Sequence, residues 1–133
     1  MIDTDELVVW LNAIPTPIGA VFVKGPRQPE FKVADDIGVV TMLGGVGDTL
    51  DGFGEQPGFQ VKLVSREHRE DLLRASMFAV DKELRFGNYP ADVWGTRIQF
   101  VDRAGGPPES GQEDELDRVS YVCTYVAHET PEI

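Results

Sequence analysis

The chain of 133 residues contains a single cysteine, Cys123. One thiol excludes an internal disulfide. Set in an apolar run, Cys123 reads as a small buried side chain. Basic residues are also scarce: 12 Lys and Arg stand against 23 Asp and Glu, a net charge of −11. Gripping phosphate needs Lys and Arg, so nucleic-acid binding is disfavoured. The acidity suits binding to a basic partner or a surface that must repel nucleic acid, and solubility alone also explains it. No apolar run approaches the roughly 20 residues that span a bilayer. The acidic N-terminus lacks the basic n-region of a signal peptide. The expectation is a chain folded in a reducing cytoplasm without membrane contact. No internal repeat or boundary interrupts residues 1–133, which read as one domain.

Recognisable chemistry is lacking too. Gly44-Gly45-Val46-Gly47-Asp48 superficially resembles a phosphate cradle. It has no P-loop lysine or Ser/Thr, no helix follows it, and Asp48, Asp51 and Glu55 would repel phosphate. His68 has no second histidine at zinc-motif spacing and reads as a surface helix position. Cys123 and His128 are an odd number of residues apart on one strand, so they point to opposite faces. The run Glu109 to Asp117 carries five carboxylates without EF-hand spacing and reads as a solvated loop. No catalytic residue, cofactor or metal site is expected.

What is present is clear patterning. In Gly58 to Gly87, Phe59, Val61 and Leu63 alternate with Gln60 and Lys62, the mark of a strand with one buried face. The period changes at Ser65, which is taken as the cap of a strand-to-helix turn. Leu73, Met77, Val80 and Leu84 then form a helical apolar stripe, flanked by Leu72 and Ala79. Gly87 is the expected cap, and Pro90 prevents resumption. At the N-terminus, Asp3 and Glu6 have capping-box spacing, and Ile2 and Leu7 that of a hydrophobic staple. Leu7, Leu11 and Ile14 make the stripe of a short helix, ended by Pro15 and Pro17.

Strands are expected at Ala20 to Lys24 and Ile37 to Leu43, with Gly25-Pro26 as a break and Gln28 to Ala34 either pairing back or looping. Gly44 to Gly58 is a long glycine-rich loop, of a length that marks a functional or a flexible segment. Gly95 to Arg103 is a strand, with Ile98 and Phe100 on one face. Ala104 to Leu116 is a second polar loop. Asp117 to His128 is the last strand. Both its faces carry apolar residues, so it should be covered on both sides, one cover being a helix and a neighbouring subunit being a candidate for the other. The predicted fold is α+β: a mostly antiparallel sheet of four to five strands with two helices packed on one face.

This layout resembles the tail terminator (tail-completion) proteins of long-tailed bacteriophages, also called minor tail or minor capsid proteins. Four features carry the resemblance. An acidic helix, Asp3 to Ile14, precedes a proline break. The strand Phe59 to Val64 ends in Ser65-Arg66 and leads into a long helix with small residues Ala75, Ser76 and Ala79. Ile98-Gln99-Phe100-Val101 follows Gly87. A loop with Pro107, Pro108, Gly111 and Asp114 enters Arg118-Val119-Ser120-Tyr121. The match covers most of residues 1–128. It departs in the glycine-rich stretch and in the loop lengthened by Glu109 to Leu116.

The resemblance implies a structural, non-catalytic virion protein, assembled in the host cytoplasm and placed at the tail–head junction. It would form a homo-oligomeric ring, commonly a hexamer, on the head-proximal end of the tail tube. There it would end tube polymerisation and present a docking surface to the head connector. The implied partners are the major tail tube protein and a head-completion or connector protein, with DNA only passing through an acidic lumen. Subunit, tube or connector contacts are expected at Asp48, Asp51, Phe53 and Glu55, at Pro107, Pro108, Asp114 and Arg118, and at Val122 and Val126. The rival expectations are an acidic immunity or inhibitor protein that binds a basic partner, and a neighbouring head–tail neck protein.

Overall fold

The computed structural model describes residues 4–25, 36–43, 58–66, 69–87, 98–114 and 118–129. Helix α1 (Thr4–Asn12) buries Leu7 and Leu11, with Asp5 and Glu6 in its first turn, where the helix dipole favours acids. It ends in two tight bonds, Ala13 N–H to the Trp10 carbonyl and Ile14 N–H to the Leu11 carbonyl, both 3.1 Å. Pro15 has no N–H to extend the series. The expected cap and staple residues, Asp3 and Ile2, lie outside the described residues.

Asn12 makes a second use of the helix end. Its Nδ2 donates to the Phe22 carbonyl at 3.1 Å, and its Oδ1 accepts the Phe22 N–H at 2.8 Å. The side-chain amide thus occupies the outer edge of β1 (Val21–Lys24), where another strand would otherwise pair.

The remaining elements are β2 (Ile37–Leu43), β3 (Gly58–Arg66), α2 (Glu70–Phe86), β4 (Ile98–Arg103), β5 (Glu109–Asp114) and β6 (Arg118–Glu129). The strands form one sheet in the order β1-β2-β3-β6-β4, with β5 also on β6. β1 and β2 pair in parallel. The other pairings are antiparallel. The alternation of strand side chains sets the two faces. Phe22, Val40, Phe59, Val61, Leu63, Val101, Tyr121, Cys123, Tyr125 and Ala127 share one core cluster with Leu7 and Leu11 of α1 and Leu73, Met77, Val80 and Leu84 of α2. Both helices therefore bury their apolar stripes against the same face. Each stripe residue of α2 contributes roughly 1.5–3 kcal/mol of burial.

Two small features hold α2 to its neighbours, one to the connection before β1 and one to the start of β2. Ser76, buried on α2, accepts the Ile18 N–H at 3.0 Å and donates to the Leu72 carbonyl at 2.8 Å. Asp36, just before β2, accepts the Ser65 hydroxyl at 2.5 Å and pairs with Arg69 at the start of α2.

The sequence-based fold class holds, with four adjustments. Six strands are present among the described residues, because part of the expected polar loop is β5. Its sequence, Glu-Ser-Gly-Gln-Glu-Asp, has no apolar alternation. Backbone pairing with β6 places it, and polar side chains suit an edge. The sheet is mixed, since β1 runs parallel to β2. Ser65 does not cap α2: it stays in β3 opposite Val119, and α2 starts after Arg69 with no side-chain cap. Gly87 does end α2, but with extended backbone. Its need for glycine is spatial, since a Cβ there would come within 2.4 Å of the Glu83 carbonyl oxygen.

Candidate functional site

The two faces of the sheet are unequal. The helices cover one. On the other, the alternation of β3 and β6 places Gln60 and Lys62 beside Val122 and Thr124, all half-buried. This second face is where β4 and β5 break. Both pair with the same side of β6, one after the other, so they form a single interrupted edge strand. Pairing runs to Arg103 opposite Tyr125, and the Ala104 N–H still reaches the Thr124 carbonyl at 2.9 Å. It resumes at Glu109 opposite Val122. The chain between bulges out of the ladder, with Gly105, Gly106 and Pro107 exposed and Pro108 buried. The bulge frames a cleft of about 260 Å³, lined by Gly105, Gly106, Pro107 and Glu109 on one side and Gln60, Val122 and Thr124 on the other.

The bulge is tied to the core at its first foot. Asp81 is a buried carboxylate on α2, with relative exposure of 2%. Arg103 donates to it twice, Nε to Oδ1 at 3.1 Å and Nη2 to Oδ2 at 2.7 Å. Tyr125 donates its hydroxyl to Oδ1 at 2.8 Å. Arg85, one turn along α2, adds Nε to Oδ2 at 3.1 Å. Burial alone would push the Asp81 carboxyl up. The hydrogen bonds from Arg103, Tyr125 and Arg85 outweigh it and hold the carboxyl below its ordinary range. The contact with Asp81 raises the Arg103 guanidinium further. Burial, with Cys123 and Asp81 nearby, pushes the Tyr125 phenol far up, so it remains a neutral donor. A buried carboxylate satisfied this fully is a positional device, since removing one partner leaves the others uncompensated.

Two of the expected contact residues meet here. Pro107 and Val122 line the same cleft. Val126 is on the same face as Val122, and is buried. Pro108 and Arg118 are buried. Asp114 is opposite Arg118 in the β5–β6 ladder. Asp48, Asp51, Phe53 and Glu55 lie outside the described residues, as does His68. Cys123 belongs to the helix-side cluster, while His128 stacks on Phe100 at 4.3 Å between ring centroids. The two point apart, as their odd spacing predicts.

Sequence reasoning did not single out Asp81, Arg103 or Tyr125. A signal was available: Asp81 is four residues after Met77 and three before Leu84, on the core-facing stripe. A carboxylate at such a position requires a cation from another element.

No family model matches this chain, and no curated protein matches it. Among the described residues, no helix is long and apolar enough to cross a membrane.

Proposed function

We propose that this chain is a non-catalytic ring subunit that caps the head-proximal end of a phage tail tube and offers a docking surface to the head connector. The observation that carries the reading is the one-sided layering. Helices cover one face of the sheet, and the other face presents a cleft under a bulge anchored to the core through Arg103 and Asp81. A surface held in place by a buried network suits a subunit that must present one fixed shape to a repeating partner. The sequence layout, from the acidic first helix through the final strand, supports the same assignment. The charge of −11 suits a lumen through which DNA slides without adhering, because like charges repel.

Light scattering on the purified protein, alone and with preformed tail tubes, tests the proposal. Rings, or stoichiometric association with tube ends, are expected. A monomer indifferent to tubes that instead forms a tight complex with a basic protein would establish the inhibitor reading.

A further inference from the structure

The cleft under the bulge has the size of one long side chain. Its volume of about 260 Å³ lies below the roughly 300–1,000 Å³ of pockets that enclose whole small molecules. Its lining mixes apolar surface, at Val122 and Pro107, with oxygen acceptors at Gln60, Thr124 and Glu109. Strand register puts these acceptors on one face. Glu109 is opposite Val122, and Val122 shares its face with Thr124, which is opposite Gln60. Asp102, opposite Val126, is on that face too. Exposed carboxylates therefore stand at both ends of the bulge. One Asp102 oxygen accepts the Arg103 N–H at 2.8 Å. Neither carboxylate has an ion-pair partner among the described residues. Lys62, opposite Val122 on the β3 side, already has an interaction of its own.

Gly105 and Gly106 are an independent sign of a guest. Neither adopts the left-handed backbone that favours glycine, and a Cβ added to either would meet nothing within 4 Å. Conformation and internal packing therefore do not require glycine at either position. Yet glycine loses more conformational freedom on folding than any other residue. What two bare glycines provide is close approach of another molecule to their backbone carbonyls.

We infer that this cleft receives an arginine side chain presented by a partner protein. A guanidinium fork pairs bidentately with a carboxylate, here Glu109. Its remaining N–H donors find acceptors in Gln60, Thr124 and the glycine carbonyls. The methylene stem packs on Val122 and Pro107 while the charged head stays at the acidic rim. A lysine ammonium is a compact, strongly hydrated point charge and cannot form the fork. The net charge of −11 draws a basic segment in from a distance. The inference rests on the reading of this face as a docking surface and names what that surface recognises.

A nuclear magnetic resonance titration of the isotopically labelled protein tests it. The probe is the blocked tripeptide Gly-Arg-Gly, with its citrulline and lysine counterparts as controls. The arginine peptide is expected to give saturable amide shifts at Gly105, Gly106, Glu109 and Thr124. Citrulline, a neutral arginine isostere, and Glu109→Gln should each weaken binding by about tenfold, the loss of one charge-assisted pair. The lysine peptide should bind more weakly than the arginine peptide. Glu70→Gln, which removes the same charge from α2 on the other face of the sheet, should change nothing. Gly105→Ala combined with Gly106→Ala should keep or raise the melting temperature and still weaken binding severalfold. No saturable shifts, equal binding of either control peptide, or wild-type affinity in either cleft variant overturns the inference, whatever the protein does on tail tubes. Arginine-selective binding by a protein that never caps tubes supports it and overturns the ring reading instead.

Discussion

Arg103 Nη2 donates to Asp81 Oδ2 at 2.7 Å, joining the residue at which the edge strand leaves the sheet to the centre of the long helix. The contact fixes where the bulge begins. Tyr125, opposite Arg103 in the ladder, donates to the same carboxylate. Strand register and helix position are therefore set by one side chain.

Asp81→Asn keeps the shape and removes the charge. Arg103 and Arg85 would then lack a counter-charge, although both retain some exposure. A loss of roughly 3 kcal/mol is expected, read as a lower urea midpoint.

The same carboxylate sets an acid limb. Its folded-state pKa lies below the unfolded value, so the unfolded state binds the proton more readily. The stabilisation is complete above an unfolded aspartate pKa of about 3.9 and is lost as pH falls through the lower folded value. Wild-type stability should drop over that window, and Asp81→Asn should drop less. Urea titrations at a series of acid pH values measure both.

Gly38 is opposite Phe22 and Leu63 in the sheet. A Cβ there would come within 2.4 Å of Phe22 Cδ1 and 3.0 Å of Leu63 Cδ2. Gly38→Ala should therefore overpack the core and cost about 1–3 kcal/mol. Adding Phe22→Leu should recover part of that loss, measurable as a double-mutant coupling in thermal melts.

Ser76→Ala would leave the buried Ile18 N–H without its acceptor. The expected loss is about 1–3 kcal/mol. Amide hydrogen exchange at Ile18 should quicken, by more than at amides elsewhere in the chain.

Cys123 is buried, and burial pushes its thiol up. At neutral pH it should react with a thiol reagent only as fast as the chain opens. The labelling rate should follow denaturant concentration, and modification of the native protein at free-thiol rates would contradict this placement.

Periodicity was strong enough to reveal the scaffold. Leu73, Met77, Val80 and Leu84 mark α2, and Phe59, Val61 and Leu63 mark β3, because a helix and a half-buried strand each impose a repeat on their apolar residues. β5 left no such trace. Its pairing depends on backbone hydrogen bonds to β6, and none of its six residues is apolar. A serine before a helical pattern looks like a cap, whereas the partner of Ser65 is Asp36, 29 residues away. Pro107 and Val122 are both expected contact residues, but their meeting in one cleft depends on the register of β6 against β3 and β5, which neither segment encodes alone. The parallel pairing of β1 with β2 was hidden for the same reason.

Electron microscopy of tail tubes polymerised with and without this protein tests the capping role most directly. Capping predicts that added protein shortens the tubes in proportion to its amount and leaves a ring at one end only. Tubes that grow to the same lengths, with the protein unbound or coating their sides, would contradict it.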